Sequence, residues 1–219
     1  MHPKLLYFRR KLFRYREVER ALAAGIGSGR LLDIGCGDGE NLLRFAGLPA
    51  RRVGLEVSWS RLRQARQQCL DVLQASGERL PFPDAAFDMV YVAHVLHHIA
   101  DYPAVLVEIR RCLAPGGVFF LVETVTDHPL LRLARRIHPV WRGDAVEVDW
   151  GYAELRQILG QAGWQIVQSE RYNLLFFLWE MLPLAFWPLE IFTPFFVYLD
   201  LLLAKLFKTY SVHCYFVLR

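Results

Sequence analysis

At 219 residues, 54% of them hydrophobic, the chain holds enough apolar material for one well-cored domain with room for a small subdomain. Its cysteines, Cys36, Cys69, Cys112 and Cys214, lie far apart without a CxxC pair, which argues against a structural zinc site and for reduced thiols in a cytosolic protein. The net charge of +4 is modest, and its placement says more than its size.

The first basic cluster lies at the N-terminus, where HPKLLYFRRKLFRYRE interleaves Lys4, Arg9, Arg10, Lys11, Arg14 and Arg16 with Leu5, Phe8, Leu12 and Tyr15. Those apolar residues keep helical spacing, and the charges interrupt the unbroken apolar run that a signal peptide needs. Residues 1–29 are expected to form a basic amphipathic helix or cap. It either packs on the domain with its basic face in water or rests on anionic lipid, where each Lys or Arg contributes about 1 kcal/mol.

From there the pattern alternates. Arg30–Ile34 reads as a strand, Glu40–Phe45 as a helix, Arg52–Val57 as a strand and Ser60–Gln68 as a helix. Cys69–Ala75 and Met89–Ala93 read as strands, and Pro103–Leu113 as a helix closed by the Pro-Gly-Gly at 115–117. Val118–Val122 is a β-prone run, Gly151–Ala162 a helix, Trp164–Ser169 a strand and Val212–Leu218 a last strand. This rhythm predicts an α/β fold with a mostly parallel sheet and helices on both faces, binding its ligand at the carboxyl ends of the strands.

The chemistry is concentrated in Leu31-Leu32-Asp33-Ile34-Gly35-Cys36-Gly37-Asp38-Gly39. A buried strand delivers an acid and then a GxGxG turn onto the head of a helix, where glycines permit a tight turn and close approach of a ligand. A dinucleotide fingerprint needs glycine at position 40, and Glu40 would set negative charge against a pyrophosphate. The turn suits a ligand with cationic and polar groups and no phosphate.

Four ordered blocks, LLDIGCGDG at 31–39, VGLEVS at 53–58, ERLPFPDAAFDMVYVAHVLHHI at 78–99 and EIRRCLAPGGVFFLVE at 108–123, resemble the class I (Rossmann-like) S-adenosylmethionine-dependent methyltransferase family, in its small-molecule and lipid branch. The resemblance extends more weakly through Tyr152–Val167. It implies a seven-stranded sheet in the order 3-2-1-4-5-7-6 with the last strand antiparallel, and S-adenosyl-L-methionine as cofactor. Asp33 with the backbone of Gly35, Cys36 and Gly37 would hold the methionine moiety. Glu56 would accept both ribose hydroxyls, for which a bidentate carboxylate is suited, and Val57 would line the adenine slot. Where the family usually has an Asp contacting the adenine amino group this chain has Ser76, so Ser76 and Gly77 are expected as weaker adenine neighbours. Ala93 and His94 would lie under the methionine part. His97 and His98 are the candidate general bases, since an imidazole near neutrality suits deprotonation of a hydroxyl; packing and cofactor contact are the competing roles. Asp88 is expected to be structural.

The block Leu174–Phe207 is apolar and aromatic, cut by Pro183, Pro188 and Pro194 and punctuated by Glu180, Glu190 and Asp200. A simple membrane span needs about 20 mostly apolar residues without such interruptions. The expectation is a helical insert before the last strand, dipping into a lipid interface through Trp179, Phe186, Trp187 and Tyr198, or forming a lid or dimer interface. The domain division is therefore 1–29, a core of 30–173 with 208–219, and the insert at 174–207. The implied function is methylation of a lipophilic or membrane-borne small molecule by a cytoplasmic enzyme in peripheral contact with the inner face of the membrane. A soluble metabolite with the insert as dimer interface, and a cofactor-binding protein without activity, are the alternatives. Nucleic acid is disfavoured because the Asn/Asp-Pro-Pro-Tyr/Phe motif of amino-directed enzymes is missing after the fourth strand and no recognition domain accompanies the basic residues.

Overall fold

The computed structural model describes residues 29–45, 50–68, 70–129, 131–133, 148–174 and 192–219. Strands β1 (Gly29–Ile34), β2 (Ala50–Glu56), β3 (Val72–Gln74), β4 (Phe87–Ala93), β5 (Leu113–Thr124), β6 (Ile166–Tyr172) and β7 (His213–Leu218) form one sheet in the order β3-β2-β1-β4-β5-β7-β6. Only β7 is antiparallel, to both β5 and β6. This is the seven-stranded order expected from the sequence. The helices are α1 (Glu40–Arg44), α2 (Trp59–Gln67), α3 (Tyr102–Cys112), α4 (Tyr152–Gln161) and α5 (Thr193–Leu206).

Side-chain alternation along the central strands divides the core into two layers. Leu32, Ile34, Val90, Val92, Phe119, Leu121 and Phe216 pack with Val105 and Ile109 of α3 and Leu155 and Leu159 of α4. On the other face Leu31, Met89, Tyr91, Phe120 and Tyr215 pack with Leu42 and Phe45 beside α1. There the rings of Tyr91, Phe120 and Tyr215 stack across three strands at 5.8 and 5.4 Å. With both faces covered, β4 and β5 read as continuous apolar runs. Truncating Ile109 or Leu121 to Ala would cost about 2–5 kcal/mol.

Local chemistry sets the ends. The Asp101 carboxylate accepts from the Ala104 N–H at 3.2 Å and Pro103 fills the first turn, so α3 starts there. It ends at Cys112 and the chain passes directly into β5. The expected Pro-Gly-Gly break is instead a register irregularity within that strand: Phe87 pairs with Leu113 but Met89 with Val118, and Gly116 takes φ +77°. β3 is three residues long because it is an edge strand with only three ladder positions on β2. β6 runs on to Tyr172, past the polar Gln168–Arg171 stretch that hides a strand from hydropathy. Asp88 accepts from the Arg30 N–H at 2.7 Å and its Nε at 3.2 Å, and those bonds hold its carboxyl below the usual carboxylate range.

β1 lies between β2 and β4, so the crossovers diverge at its carboxyl end and open a crevice there. β6 runs parallel to β5, so the chain leaves β6 at the carboxyl edge too. Asp200, fully buried on α5, accepts from the Leu174 N–H at 3.0 Å and ties the helix to that edge. Among the described residues no helix is long and apolar enough to cross a membrane. The expected N-terminal helix lies outside the described residues, as do Trp179, Phe186, Trp187 and the rest of 175–191.

Candidate active site

The turn after β1 is built from backbone. The N–H groups of Gly35 and Cys36 both donate to the Leu55 carbonyl, at 2.7 and 3.0 Å. Gly35 takes φ +71°, and a Cβ on it would collide with the side chain of Val95. Gly37 takes φ +60° and faces open space. The two glycines thus serve different needs: the first lets the turn press against the segment after β4, and the second leaves backbone accessible.

Glu56, at the end of β2 and 5% exposed, stitches the turn in place. One carboxylate oxygen accepts from the Gly37 N–H at 2.9 Å and the other from the Ser58 N–H at 2.8 Å. Asp33, at the end of β1, is as deeply buried, yet neither of its carboxylate oxygens has a hydrogen-bond partner. Burial first, and then the charge of Glu56, raises its pKa well above the carboxylate range. The Cys36 side chain turns into the sheet, where a Cβ on Gly54 would stand 2.6 Å from its sulfur. Burial and the two acids push its thiol up. Cys36 meets the turn through its backbone and through a long contact of its thiol with the Gly37 carbonyl at 4.0 Å.

A cavity of about 340 Å³ opens at this crevice, and Gly35, Val57, Ser76, Gly77 and His98 line it together. Glu78 and Val95 line it as well; neither was singled out from the sequence, although Glu78 opens one of the motif blocks. The Ser76 hydroxyl donates to the Glu78 carboxylate at 2.9 Å and accepts from the Glu78 N–H at 3.2 Å. Val57 is largely exposed, and its carbonyl accepts from Gln74 Nε2 at 3.0 Å.

Of the other expected residues, Asp33, Cys36, Gly37, Glu56, Ala93, His94 and His97 lie outside the cavity lining. His97 is buried, with Nδ1 2.6 Å from an oxygen of Glu123. The other Glu123 oxygen accepts from the N–H groups of Val95 and Leu96, at 3.2 and 2.8 Å. Burial alone would raise the Glu123 pKa, but the His97 charge and hydrogen bond, the charge of His94 and the Leu96 N–H overcome it and hold it below the usual range. His97 and Glu123 therefore form a support for the segment that presses on Gly35. The His98 ring lies against that of His97, tilted by 47° with 4.1 Å between ring centres. Ala93 ends β4 opposite Val122, half-buried. His94 follows with φ +57°, its Nδ1 3.2 Å from the Thr124 hydroxyl and its ring 5.1 Å from that of His213. His213 Nδ1 is 2.9 Å from Asn173 Nδ2. No sequence signal marks His213, because only the β5–β7 pairing brings it here.

Residues 32–121 match the family model of the methyltransferase domain. The chain is 38% identical over 144 residues to 27-O-demethylrifamycin SV methyltransferase of Amycolatopsis mediterranei, covering 58% of this chain and 52% of that protein. It is 31% identical over 116 residues to demethylmenaquinone methyltransferase of Lactococcus lactis, covering 48% and 45%. The chain spans about half the length of the curated relatives it matches. Its fold is similar to that of a SAM-dependent methyltransferase from Archaeoglobus fulgidus, with a TM-score of 0.69 over 95% of this chain and 93% of that one, at 15% identity.

Proposed function

Through residues 32–121 the chain belongs to the class I, S-adenosylmethionine-dependent methyltransferase family, and on that premise we propose that it methylates a lipophilic small molecule met at a membrane surface. The observation that carries the cofactor half is the pair of buried acids at the glycine turn. Asp33 has two unpartnered oxygens, and Glu56 is bonded only to backbone N–H groups. A buried carboxylate without a partner is costly, and a cation placed beside it removes the cost. The methionine end of the cofactor brings a sulfonium and an ammonium, so the residues present fit it.

In this reading Asp33 and the backbone of Gly35 to Gly37 hold the methionine end, with the backbone of Ala93 and His94 beneath it. Glu56 takes the ribose, and Val57, Ser76 and Gly77 border the adenine. When bound, the cofactor supplies an activated methyl group and a good leaving group. The protein's share is orientation, worth about 7–11 kcal/mol when the reacting atoms are held in line. Gly35 against Val95, with the His97–Glu123 support behind, gives that segment a fixed position.

The lipophilic half rests on α5. Phe192, Phe195, Tyr198, Leu202 and Leu206 recur at helical spacing and are all exposed, Phe195 at 67% and Leu206 at 70%. A stripe of this kind suits the boundary between headgroups and acyl chains, with Lys205 and Lys208 at its end for anionic lipid. The helix packs on β6 at the same carboxyl edge of the sheet as the cavity, several strands away, and an acceptor partitioned in lipid would reach the cofactor along that edge. The demethylmenaquinone methyltransferase among the relatives also favours an apolar acceptor.

Calorimetric titration of S-adenosylmethionine should give saturable binding that weakens at least about tenfold in Glu56→Ala, the loss expected for charged hydrogen bonds. No binding to wild type would sink the cofactor assignment. Flotation with phosphatidylglycerol vesicles should carry wild type and leave a Phe195→Ser/Leu206→Ser variant behind. Equal behaviour of the two, with a dimer on sizing, would make α5 a subunit interface and the acceptor a soluble metabolite.

A further inference from the structure

One corner of the cavity has its hydrogen-bonding sense fixed by the chain. Ser76, Gly77 and Glu78 line it, on the segment that follows β3. β3 ends at Gln74, and no strand ladder holds the residues that come next. Side chains of α3 hold them instead. Glu108 accepts from the Leu80 N–H at 2.7 Å, and Arg111 donates to the carbonyls of Leu80 and Phe82, at 3.0 and 2.8 Å. Gly77 is buried, and a Cβ on it would stand 3.2 Å from the Ile34 side chain and 3.5 Å from that of Val105. The segment is thus pressed against the end of β1 and against α3, and Ser76 and Glu78 flank the point of contact.

A serine hydroxyl alone is ambiguous, because it rotates and either donates or accepts. Here it is committed. Ser76 Oγ donates its one proton to a carboxylate oxygen of Glu78 at 2.9 Å and accepts from the Glu78 N–H at 3.2 Å. That leaves one lone pair on Ser76 Oγ and the second carboxylate oxygen of Glu78, and an ionised carboxylate only accepts. The corner therefore offers acceptors and no side-chain donor. Apart from His98, the rest of the lining is apolar or glycine, with Ile34, Leu55, Val57, Val95 and Ile99 as its larger members. Reading the polar edge of a flat ring falls to this corner.

We propose that Glu78 selects the nucleobase of the cofactor: by holding Ser76 Oγ as an acceptor and adding its own carboxylate oxygen, it admits a purine with an amino group at carbon 6 and rejects one with a carbonyl there. This rests on the methyltransferase reading and deepens it. An amino group at that position brings two N–H donors, one for each acceptor. A carbonyl oxygen brings lone pairs against lone pairs and leaves both residues unsatisfied. Without the acid the Ser76 hydroxyl would regain its freedom and donate to that carbonyl. Enclosed sites that demand a donor reject ligands lacking it by several orders of magnitude. Ser76 and Glu78 are exposed, so about ten- to a hundredfold is the range expected, the worth of one charge-assisted bond.

The test uses the whole chain and two compounds that differ at that one position, S-adenosylhomocysteine and S-inosylhomocysteine, each titrated by calorimetry. Wild type should prefer the 6-amino compound by about ten- to a hundredfold. Glu78→Gln is close in size, but its amide presents a donor as well as an acceptor, so the Ser76 hydroxyl is no longer held in one sense. The preference should then fall by about tenfold. A Glu78 that served only to shape the segment would weaken both ligands alike in the variant, and an unchanged ratio of affinities overturns the proposal. Equal binding of the two compounds to wild type overturns it as well. If wild type binds neither compound, the methyltransferase reading falls and takes this one with it.

Discussion

The ends of β1 and β5 each carry a fully buried acid, and the two behave oppositely. Asp33 is 1% exposed and Glu123 0%, so burial penalises both charges alike. Glu123 collects two backbone N–H groups and the His97 ring, and its pKa is held down. Asp33 has no hydrogen-bond partner, faces the charge of Glu56, and its pKa is driven up. Burial alone does not mark a functional acid. A buried acid with its partners supplied by the chain is architecture, and one left without them is waiting for a partner from outside.

The largest effect expected from that contrast is on Glu123→Ala. Removing one member of a buried pair leaves His97 and two backbone N–H groups without their acceptor, and should cost about 3–5 kcal/mol of stability by urea unfolding. A loss under about 1 kcal/mol, the range of exposed pairs, would show that Glu123 is not the support described. Next comes Asp33→Asn, which should weaken S-adenosylmethionine binding about ten- to a hundredfold by calorimetry, the worth of a charge-assisted bond. The ligand-free variant should be no less stable than wild type, since it loses no hydrogen bond. Unchanged affinity would mean that Asp33 does not meet the cofactor.

The smallest effect is on pH dependence, where the two acids have opposite signs. Because the Asp33 pKa is raised by folding, its contribution is full below the ordinary carboxylate range and is lost as pH rises through the folded value. The Glu123 pKa is lowered, so its contribution is present above the ordinary range and is lost as pH falls through the folded value. Urea midpoints over a pH series should therefore show Asp33→Asn gaining on wild type toward higher pH. The deficit of Glu123→Gln should shrink toward lower pH. Parallel curves for all three proteins would contradict the contrast.

Much of this was legible in the chain. Asp33 followed by the GxGxG turn, the acid Glu56 at the end of the second strand, and the apolar runs of β4 and β5 are local patterns. Boundaries moved where tertiary contacts override them. β6 extends through Gln168–Arg171 because β7 pairs with it, and the Pro-Gly-Gly segment stays within β5 because β4 resumes its ladder beyond it. His97 and His98 look alike in the sequence, adjacent and equally titratable. The packing of Glu123 against one ring and of the cavity against the other separates them. Ser76 reads as a weakened contact, and the fold adds the neighbouring Glu78 bonded to it.

The sequence by itself determined the elements and the glycine turn, because periodicity and positive φ are properties of a few consecutive residues. The strand order came only through the resemblance of its motif blocks to a known family. The tertiary structure decided which acid is satisfied and which is not, and which histidine faces which site. Those outcomes depend on partners such as Glu123 for His97 and Thr124 for His94, far apart in the chain and joined only by sheet register. Hydrogen bonding acts over about 3 Å whatever the separation in sequence, so no local pattern could have specified them.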